Sequence, residues 1–430
     1  MALLLRNGRL VDPAAGVDVV ADMIVRDGRI AEIGEGLAIS KGVTVECAEK
    51  VVVPGLVDLH THLREPGRED EETVASGTRA AAHGGFTAVC AMPNTLPICD
   101  TGSKVRFLVE RAEETGVVRV HPVGALTVGQ RGETLAEIGD MVAEGAVAFS
   151  DDGRGVQSAG MMRRVMEYGK AFGAIVVSHC EEESLVGNGV VNEGVVSTRL
   201  GLPGWPSAGE EVMVARDIRL AELTGCRLHL AHLSTAGSVE LLRAARERGL
   251  PVTAEVTPHH LFLDEDALGT NYDTALKINP PLRTSVDRAA LLDALLDGTI
   301  DCVATDHAPH ALHEKEMEFE LAPFGTIGLE TALPLLITNL VESGLLEWAD
   351  IARILAHGPR EVFGLPPVGL EVGSVADLTI IDPEARVEVR RDWFVSKSSN
   401  SAFEGATLLG RATEVLVGGR LALKNGKVVD

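Results

Sequence analysis

The sequence predicts an α/β fold: a (β/α)8 barrel of the TIM type over residues 54–365, with a small β-sandwich domain built from both chain termini, residues 1–53 and 366–430. Three observations predict it. Short apolar runs alternate with segments of helical period through the middle of the chain, both ends show short alternating strands instead, and 430 residues exceed one ordinary compact domain unless that domain is a barrel.

The N-terminal pieces "LLLRNGRLVD", "ADMIVRDGRIAEIG" and "VTVECAEKVVVPG" alternate apolar and polar positions with Gly and Asp between them, the pattern of an antiparallel meander. Barrel strands are then expected in "GLVDLH", "FTAVCAM", "VRVHPVGA", "AVAFS", "AIVVSH", "CRLHLAH", "PVTAEV" and "IDCVATD". Between them, stretches such as "SKVRFLVERAEETG" and "AGSVELLRAARERG" carry the helical period. The chain closes on alternation again, in "GSVADLTIIDP" and "ATEVLVGGRLALKNGKVVD". Neither end can easily bury its apolar face alone, so the two are expected to pack together.

Charge and composition narrow the function. The net charge is -24, with 63 acids against 39 Lys and Arg, and aromatic residues make up 3%. Nucleic acid is therefore not an expected partner, because phosphates need a basic surface and bases need stacking platforms. An acidic surface gives an anionic substrate no long-range help, so such a substrate must meet cations placed locally. No run approaches the length of a membrane span and the N-terminal apolar patch is too short for a signal sequence, so a cytoplasmic protein without membrane contact is expected. The six cysteines form no CxxC pair and read as buried, reduced thiols.

In a barrel of this kind the chemistry sits at the C-terminal ends of the strands. The first run ends in His60 and His62, the fourth in Asp151 and Asp152, the fifth in His179, the sixth in His232 and the eighth in Asp306. Strand period 2 puts His60 and His62 on one side. Nitrogen and carboxylate donors of this kind suit zinc or another borderline divalent ion. Six donors exceed one tetrahedral site, and a carboxylate can bridge two ions about 3.5 to 4 Å apart, so a binuclear centre is expected. The plainer alternatives are specific too. Asp151 and Asp152 compete for one role, one of them being a turn residue or a support for the ligands; His229 reads as a packed histidine or one that supports a ligand; His83 and His121 read as structural or surface residues; and His259 and His260, after the seventh run, read as supporting rather than ligating.

The strings "GLVDLHTHLREPG", "GGFTAVCAMPNT", "FSDDG", "SHCE", "AHLST", "AEVTPHHL", "KINPPLR", "ATDHAPH" and "APFGTIGLET", in order from 55 to 331, closely resemble the bacterial class I dihydroorotases of the amidohydrolase superfamily. The resemblance implies two zinc ions per subunit, the first held by His60, His62 and Asp306, the second by His179 and His232, with Asp152 bridging. It implies interconversion of N-carbamoyl-L-aspartate and L-dihydroorotate in pyrimidine synthesis through a zinc-activated water, with Asp306 as general acid and base. Arg64 would receive the substrate carboxylate as a planar bidentate partner. Asn94, Asn279 and His310 would contact the substrate, and the backbone at Phe324 and Gly325 would close over its ring; Arg283 stays outside this set as a salt-bridge candidate.

Many amidohydrolases bridge their metals with a carboxylated lysine at the end of the fourth strand, and no lysine occurs here between Lys104 and Lys170. That favours dihydroorotase over hydantoinase or allantoinase. A catalytically silent homologue serving as a scaffold for aspartate transcarbamoylase would lose metal ligands, whereas this chain keeps each position. A homodimer is expected, and aspartate transcarbamoylase is a candidate partner, since some active members associate with it. The polar stretch 311–322 reads as a mobile lid or a surface helix.

Overall fold

The computed structural model describes residues 2–429. Its barrel strands are β1 (Leu56–Thr61), β2 (Phe86–Ala91), β3 (Arg119–Gly124), β4 (Ala148–Ser150), β5 (Ile175–Ser178), β6 (Arg227–Leu230), β7 (Val252–Val256) and β8 (Cys302–Val303). Each lies within the apolar run expected to form it, except that β1 extends one residue past its run, to Thr61. The strands pair in sequence order and in parallel throughout. A parallel bridge between Thr61 and His307 closes the ring. At the same seam Asp58 accepts hydrogen bonds from the backbone and hydroxyl of Thr305.

Parallel strands covered on both faces read as continuous apolar runs, which is why these eight lack the alternation of the chain ends. Val57, Leu59, Ala88, Cys90, Val123, Ala148, Val177 and Cys302 form one buried cluster with Phe363 and Leu365. The helix Gly358–Phe363 sits at the N-terminal mouth. Arg227, which opens β6, donates to Val362 O at 2.7 Å, and Arg360 donates to Gly55 O, just before β1, at 2.8 Å. The barrel is thus plugged at one end and open at the other.

Helix starts are written in the sequence: Thr73, Ser158, Thr235 and Thr284 each accept a hydrogen bond from the backbone N–H three residues on. Gly85 ends the helix Val74–Gly84 at φ 98 and turns the chain directly into β2, a conformation that a side chain would strain.

The terminal strands form one separate nine-stranded sheet. Its N-terminal members are Ala2–Asp12, Val17–Arg26, Arg29–Gly34, Val43–Glu46 and Val51–Pro54; its C-terminal members are Leu378–Glu388, Thr407–Val417, Arg420–Lys424 and Lys427–Val428. The two groups join where Val51–Pro54 runs antiparallel to Leu378–Glu388. The N-terminal part is not purely a meander. Val43–Glu46 and Val51–Pro54 both run parallel to Ala2–Asp12, because that strand is long enough to seat two short partners in succession. Gly8 lies between these two seats, at an irregularity in the pairing with Val17–Arg26, where a Cβ would meet Val52 at 2.9 Å and Cys47 at 3.1 Å. Leu5, Leu10, Met23 and Val52 share a core with Leu378, Ile380 and Leu416, so residues from both ends bury one another. Arg119, which opens β3, makes two hydrogen bonds of 3.0 Å to Asp377 and ties the barrel to this sheet.

Among the described residues all six cysteines are buried free thiols, and no helix is long and apolar enough to cross a membrane. Phe363 is 4% exposed and packs 5.6 Å from the His229 ring. Phe363→Ala should leave a cavity in the plug and reduce stability by about 3–5 kcal/mol. Chemical denaturation checks this, and an unchanged midpoint would remove Phe363 from the barrel core.

Candidate metal centre and substrate cavity

Four imidazoles and two carboxylates converge at the open mouth. His62 Nε2 lies 3.0 Å from Asp306 Oδ1, and His60 Nε2 lies 3.3 Å from Asp152 Oδ1 and 3.5 Å from Asp306 Oδ1. His179 Nδ1 and His232 Nε2 lie 3.4 and 3.6 Å from the same Asp152 oxygen and 2.9 Å from each other. His60, His62 and Asp306 form one group of atoms close enough to share an ion; His60, Asp152 and His232 form another.

The opposite ring nitrogens decide what these atoms can be. His60 Nδ1 is 2.8 Å from Glu255 Oε1, His62 Nδ1 is 2.8 Å from Asn94 Oδ1, and His179 Nε2 is 2.9 Å from Glu181 Oε2. All three partners are acceptors, so each ring donates outward and a neutral ring turns its lone pair toward the carboxylates. Lone pairs facing carboxylate oxygens repel unless a cation lies between them. Consistent with that, His60 Nε2 and Asp152 Oδ1 are buried without a hydrogen-bond partner. The donor set fits a divalent metal: His60, His62, Asp152, His179, His232 and Asp306 would hold it.

The carboxylates call for positive charge at this point, whether from protons on the rings or from a metal. Burial disfavours a charged ring at His60, yet Asp152 and Asp306 outweigh it and raise its pKa well above the ordinary value. His179 is pushed up to about 10 against the pull of burial by its hydrogen bonds to Asp152 and Glu181. Burial would raise Asp152 and Asp306, but the surrounding rings draw both below the usual carboxylate range, so both are held as anions. His232 (φ 33), Asp306 (φ 47) and Arg64 (φ 60) occupy the left-handed region. Strain of about 1–3 kcal/mol per residue is typical where side chains are aimed by function.

The competition between the two aspartates resolves by geometry. Asp151 turns away, accepting hydrogen bonds from Leu126 N (2.8 Å), Thr127 N (3.1 Å) and the Thr127 hydroxyl. His260 binds Thr257 and Pro280 O, beside Asn279, and His259 keeps a buried Nε2 without a hydrogen-bond partner. His83 pairs with Glu330 at 2.5 Å. His121, pushed down to about 4 by burial and then by Arg360 and Arg119, lies at the start of β3, away from the mouth. Arg283 is structural: it donates to Ser234, Asn192 and Trp205 O, fastening the excursion between β5 and β6.

Above the cluster is a cavity of about 220 Å³. His62, Asp152, His179, His232 and Asp306 line its floor together with Arg64, Asn94, Asn279, His310, Phe324 and Gly325, so the sequence-predicted residues meet in one place. His60 lies beneath, fully buried. Gly153 and Ala308 complete the lining and carry no sequence signal of their own.

Arg64 donates Nε to Pro309 O at 3.1 Å and sits 3.1 Å from Glu71 Oε2. The other Glu71 oxygen is 2.9 Å from His310 Nδ1, and His310 Nε2 donates to Phe324 O at 2.7 Å. Asn279 donates to Glu181, which also holds His179.

Sequence reasoning missed Glu71, Glu181 and Glu255. For Glu255 a signal existed, a lone acid in the apolar run "PVTAEV". It also missed a contribution from the chain end: Asn400 donates to Ala308 O and Gly325 O and accepts from His310 N, while Ser398 donates to Glu71 O. Within 311–322 there is one short helix, Leu312–Lys315. That stretch is anchored by Lys315, which donates to Thr274 O and Pro323 O, and by buried Phe319.

A family model for Dihydro-orotase-like proteins matches residues 49–238. The chain is 50% identical over 425 residues to a dihydroorotase of Pelotomaculum thermopropionicum, covering 99% of each protein. The chain belongs to the dihydroorotase family. A dihydroorotase of Anaeromyxobacter dehalogenans is 49% identical over 427 residues, with 99% of this chain and 98% of the relative covered. The family likeness therefore spans the terminal sheet as well as the barrel. Among solved structures, an L-hydantoinase (dihydropyrimidinase) from Arthrobacter aurescens superposes with a TM-score of 0.89 at 26% identity, covering 100% of this chain and 97% of that one. A D-hydantoinase (dihydropyrimidinase) from Thermus sp. gives 0.85 at 27%, covering 99% and 96%. A dihydroorotase-family chain thus shares its whole architecture with cyclic-amide hydrolases while its sequence likeness to dihydroorotases is nearly twice as high.

The adjacent aspartates offer a direct check. Asp152→Asn should lose most bound metal after dialysis, whereas Asp151→Asn should retain it, with metal analysis of the two purified variants as the measurement. Equal retention would show that Asp152 is not a ligand.

Proposed function

We propose that the protein is a zinc-dependent dihydroorotase that interconverts N-carbamoyl-L-aspartate and L-dihydroorotate in the cytoplasm. One observation carries this reading: a single cavity has the His and Asp cluster on its floor and in its wall an arginine, Arg64, whose side chain is 11% exposed. A cyclic amide that also bears a carboxylate matches both. An uncharged hydantoin ring would bring the guanidinium no second anion, leaving it with only Glu71 and the Pro309 carbonyl.

When bound, divalent zinc acts as a Lewis acid on an amide carbonyl and lowers the pKa of a coordinated water from about 16 to about 7. The protein's own groups do the rest. Arg64 holds the substrate carboxylate, while Asn94, Asn279 and His310 line the space around the ring and fix which carbonyl faces the cluster. Asp306, an anion at the cavity floor, takes the proton of the attacking water and returns it to the ring nitrogen as the amide opens. In reverse, the same carboxylate removes the proton from the ureido nitrogen and delivers it to departing water. The Phe324 and Gly325 backbone shields the ring, with Gly325 at φ 132 close enough to Ala308 that an added Cβ would stand 2.7 Å away.

Two zinc ions with Asp152 shared between them are part of this proposal. So are a homodimer and an association with aspartate transcarbamoylase, which sedimentation of the protein with and without the transferase tests.

The decisive assay is turnover of L-dihydroorotate, hydantoin and allantoin by zinc-loaded and chelator-treated protein. Zinc-dependent opening of dihydroorotate alone is expected; inactivity of folded, zinc-bound protein on all three substrates would overturn the proposal. Asp306→Asn should lower kcat by roughly 10²–10⁴-fold in both directions with the fold intact by circular dichroism. Arg64→Met should raise KM for dihydroorotate by on the order of 10²-fold, and unchanged kinetics would remove Arg64 from substrate binding.

A further inference from the structure

Below the cluster, inside the barrel, one carboxylate touches both halves of the ligand set. Glu255 Oε1 accepts from His60 Nδ1 at 2.8 Å and from the backbone N–H of His232 at 3.4 Å. Its second oxygen faces His229 Nε2 at 3.2 Å, and His229 Nδ1 lies 2.9 Å from Thr253 Oγ1. Glu255 is 1% exposed, and His60 and His229 are fully buried. The arrangement runs from Thr253 through His229 and Glu255 to the ring that faces both Asp152 and Asp306.

We propose that Glu255, backed by His229, is the positioning residue that sets how tightly the cluster holds its metal. The proposal rests on the metal-dependent reading given above. A carboxylate on the Nδ1–H of His60 fixes the tautomer that leaves Nε2 as the donor, and it makes that nitrogen more basic than an amide or water partner would. The bond to His232 N holds the turn at φ 33 that brings His232 Nε2 beside Asp152. His229 in turn prevents Glu255 from rotating away, since its other nitrogen is held by Thr253. The other carboxylate behind the cluster, Glu181, touches His179 alone among the ligands and has a side chain 14% exposed, so it holds one ring with a weaker, partly hydrated contact.

Cys302 lies close enough to Glu255 and His229 for the three to resemble an ion site. Burial, and then Glu255, hold its thiol well above the ordinary value, and Glu255 is already hydrogen-bonded to both histidines. The trio is a platform for the cluster above it.

The test uses the full chain stripped of metal, titrated with zinc against a chromophoric chelator and with cobalt by visible absorption. Glu255→Gln keeps the volume and removes the charge. It should weaken zinc by roughly 10–100-fold and shift the cobalt ligand-field bands, while the metal-free protein melts as the wild type does. His229→Gln leaves the carboxylate but loosens it, and should move both readouts in the same direction by less. Glu181→Gln should weaken zinc less than Glu255→Gln. Wild-type zinc affinity and cobalt spectra in both the Glu255 and His229 variants would overturn the inference. If Glu255→Gln fails to fold, the His229→Gln titration decides alone. A wild-type chain that binds no zinc would instead sink the metal-dependent reading itself, which separates the two failures.

Discussion

Six ionisable side chains share one pocket at the mouth of a barrel whose walls exclude water, and the rest of the structure answers to that constraint. Histidines and carboxylates brought this close, nearly all of them under a tenth exposed, are unfavourable unless a positive charge lies among them. Three of the four rings are held from behind so that their other nitrogens face inward, and three backbone positions around the cavity adopt left-handed angles to aim side chains at it. The stability that tolerates this strain comes from elsewhere, chiefly the doubly covered strands and the plugged base.

The barrel supplies the geometry because its strands all point the same way. Side chains that end different strands, far apart in sequence, face one opening, and the closing bridge between Thr61 and His307 brings the first strand end beside the last. His62 and Asp306 meet across that seam. The same seam holds Asp58 and Thr305, so an error in closure would disturb the barrel and the His and Asp cluster together.

Strand ends were legible because histidines and aspartates that terminate apolar runs stand out, and every candidate drawn from them except Asp151 lies in or beneath the cavity. Adjacent residues were not separable in that way. Asp151 and Asp152 are chemically identical, and only the hydrogen bonds from Leu126 and Thr127 distinguish the turn residue from the one that faces the histidines. Groups acting through other residues were the least visible. Glu71 sits in the acidic run "REDEET", where a buried carboxylate cannot be told from a solvated one, and Asn400 belongs by position to the terminal sheet. The parallel pairing of Val43–Glu46 with Ala2–Asp12 was hidden for a related reason, since strand alternation reports which face is buried and says nothing of direction.

The involvement of residues 396–400 ties the site to the order in which the chain is made. Ser396 and Lys397 hold Glu72, Ser398 holds the Glu71 carbonyl, and Asn400 spans the loops carrying Ala308, His310 and Gly325. In the same way Val51–Pro54 waits for Leu378–Glu388 to become its neighbour. A ribosome that has completed all eight barrel strands has therefore not yet supplied the struts of the cavity wall. A nascent or prematurely ended chain can own every candidate metal ligand and still lack the contacts that brace the cavity wall.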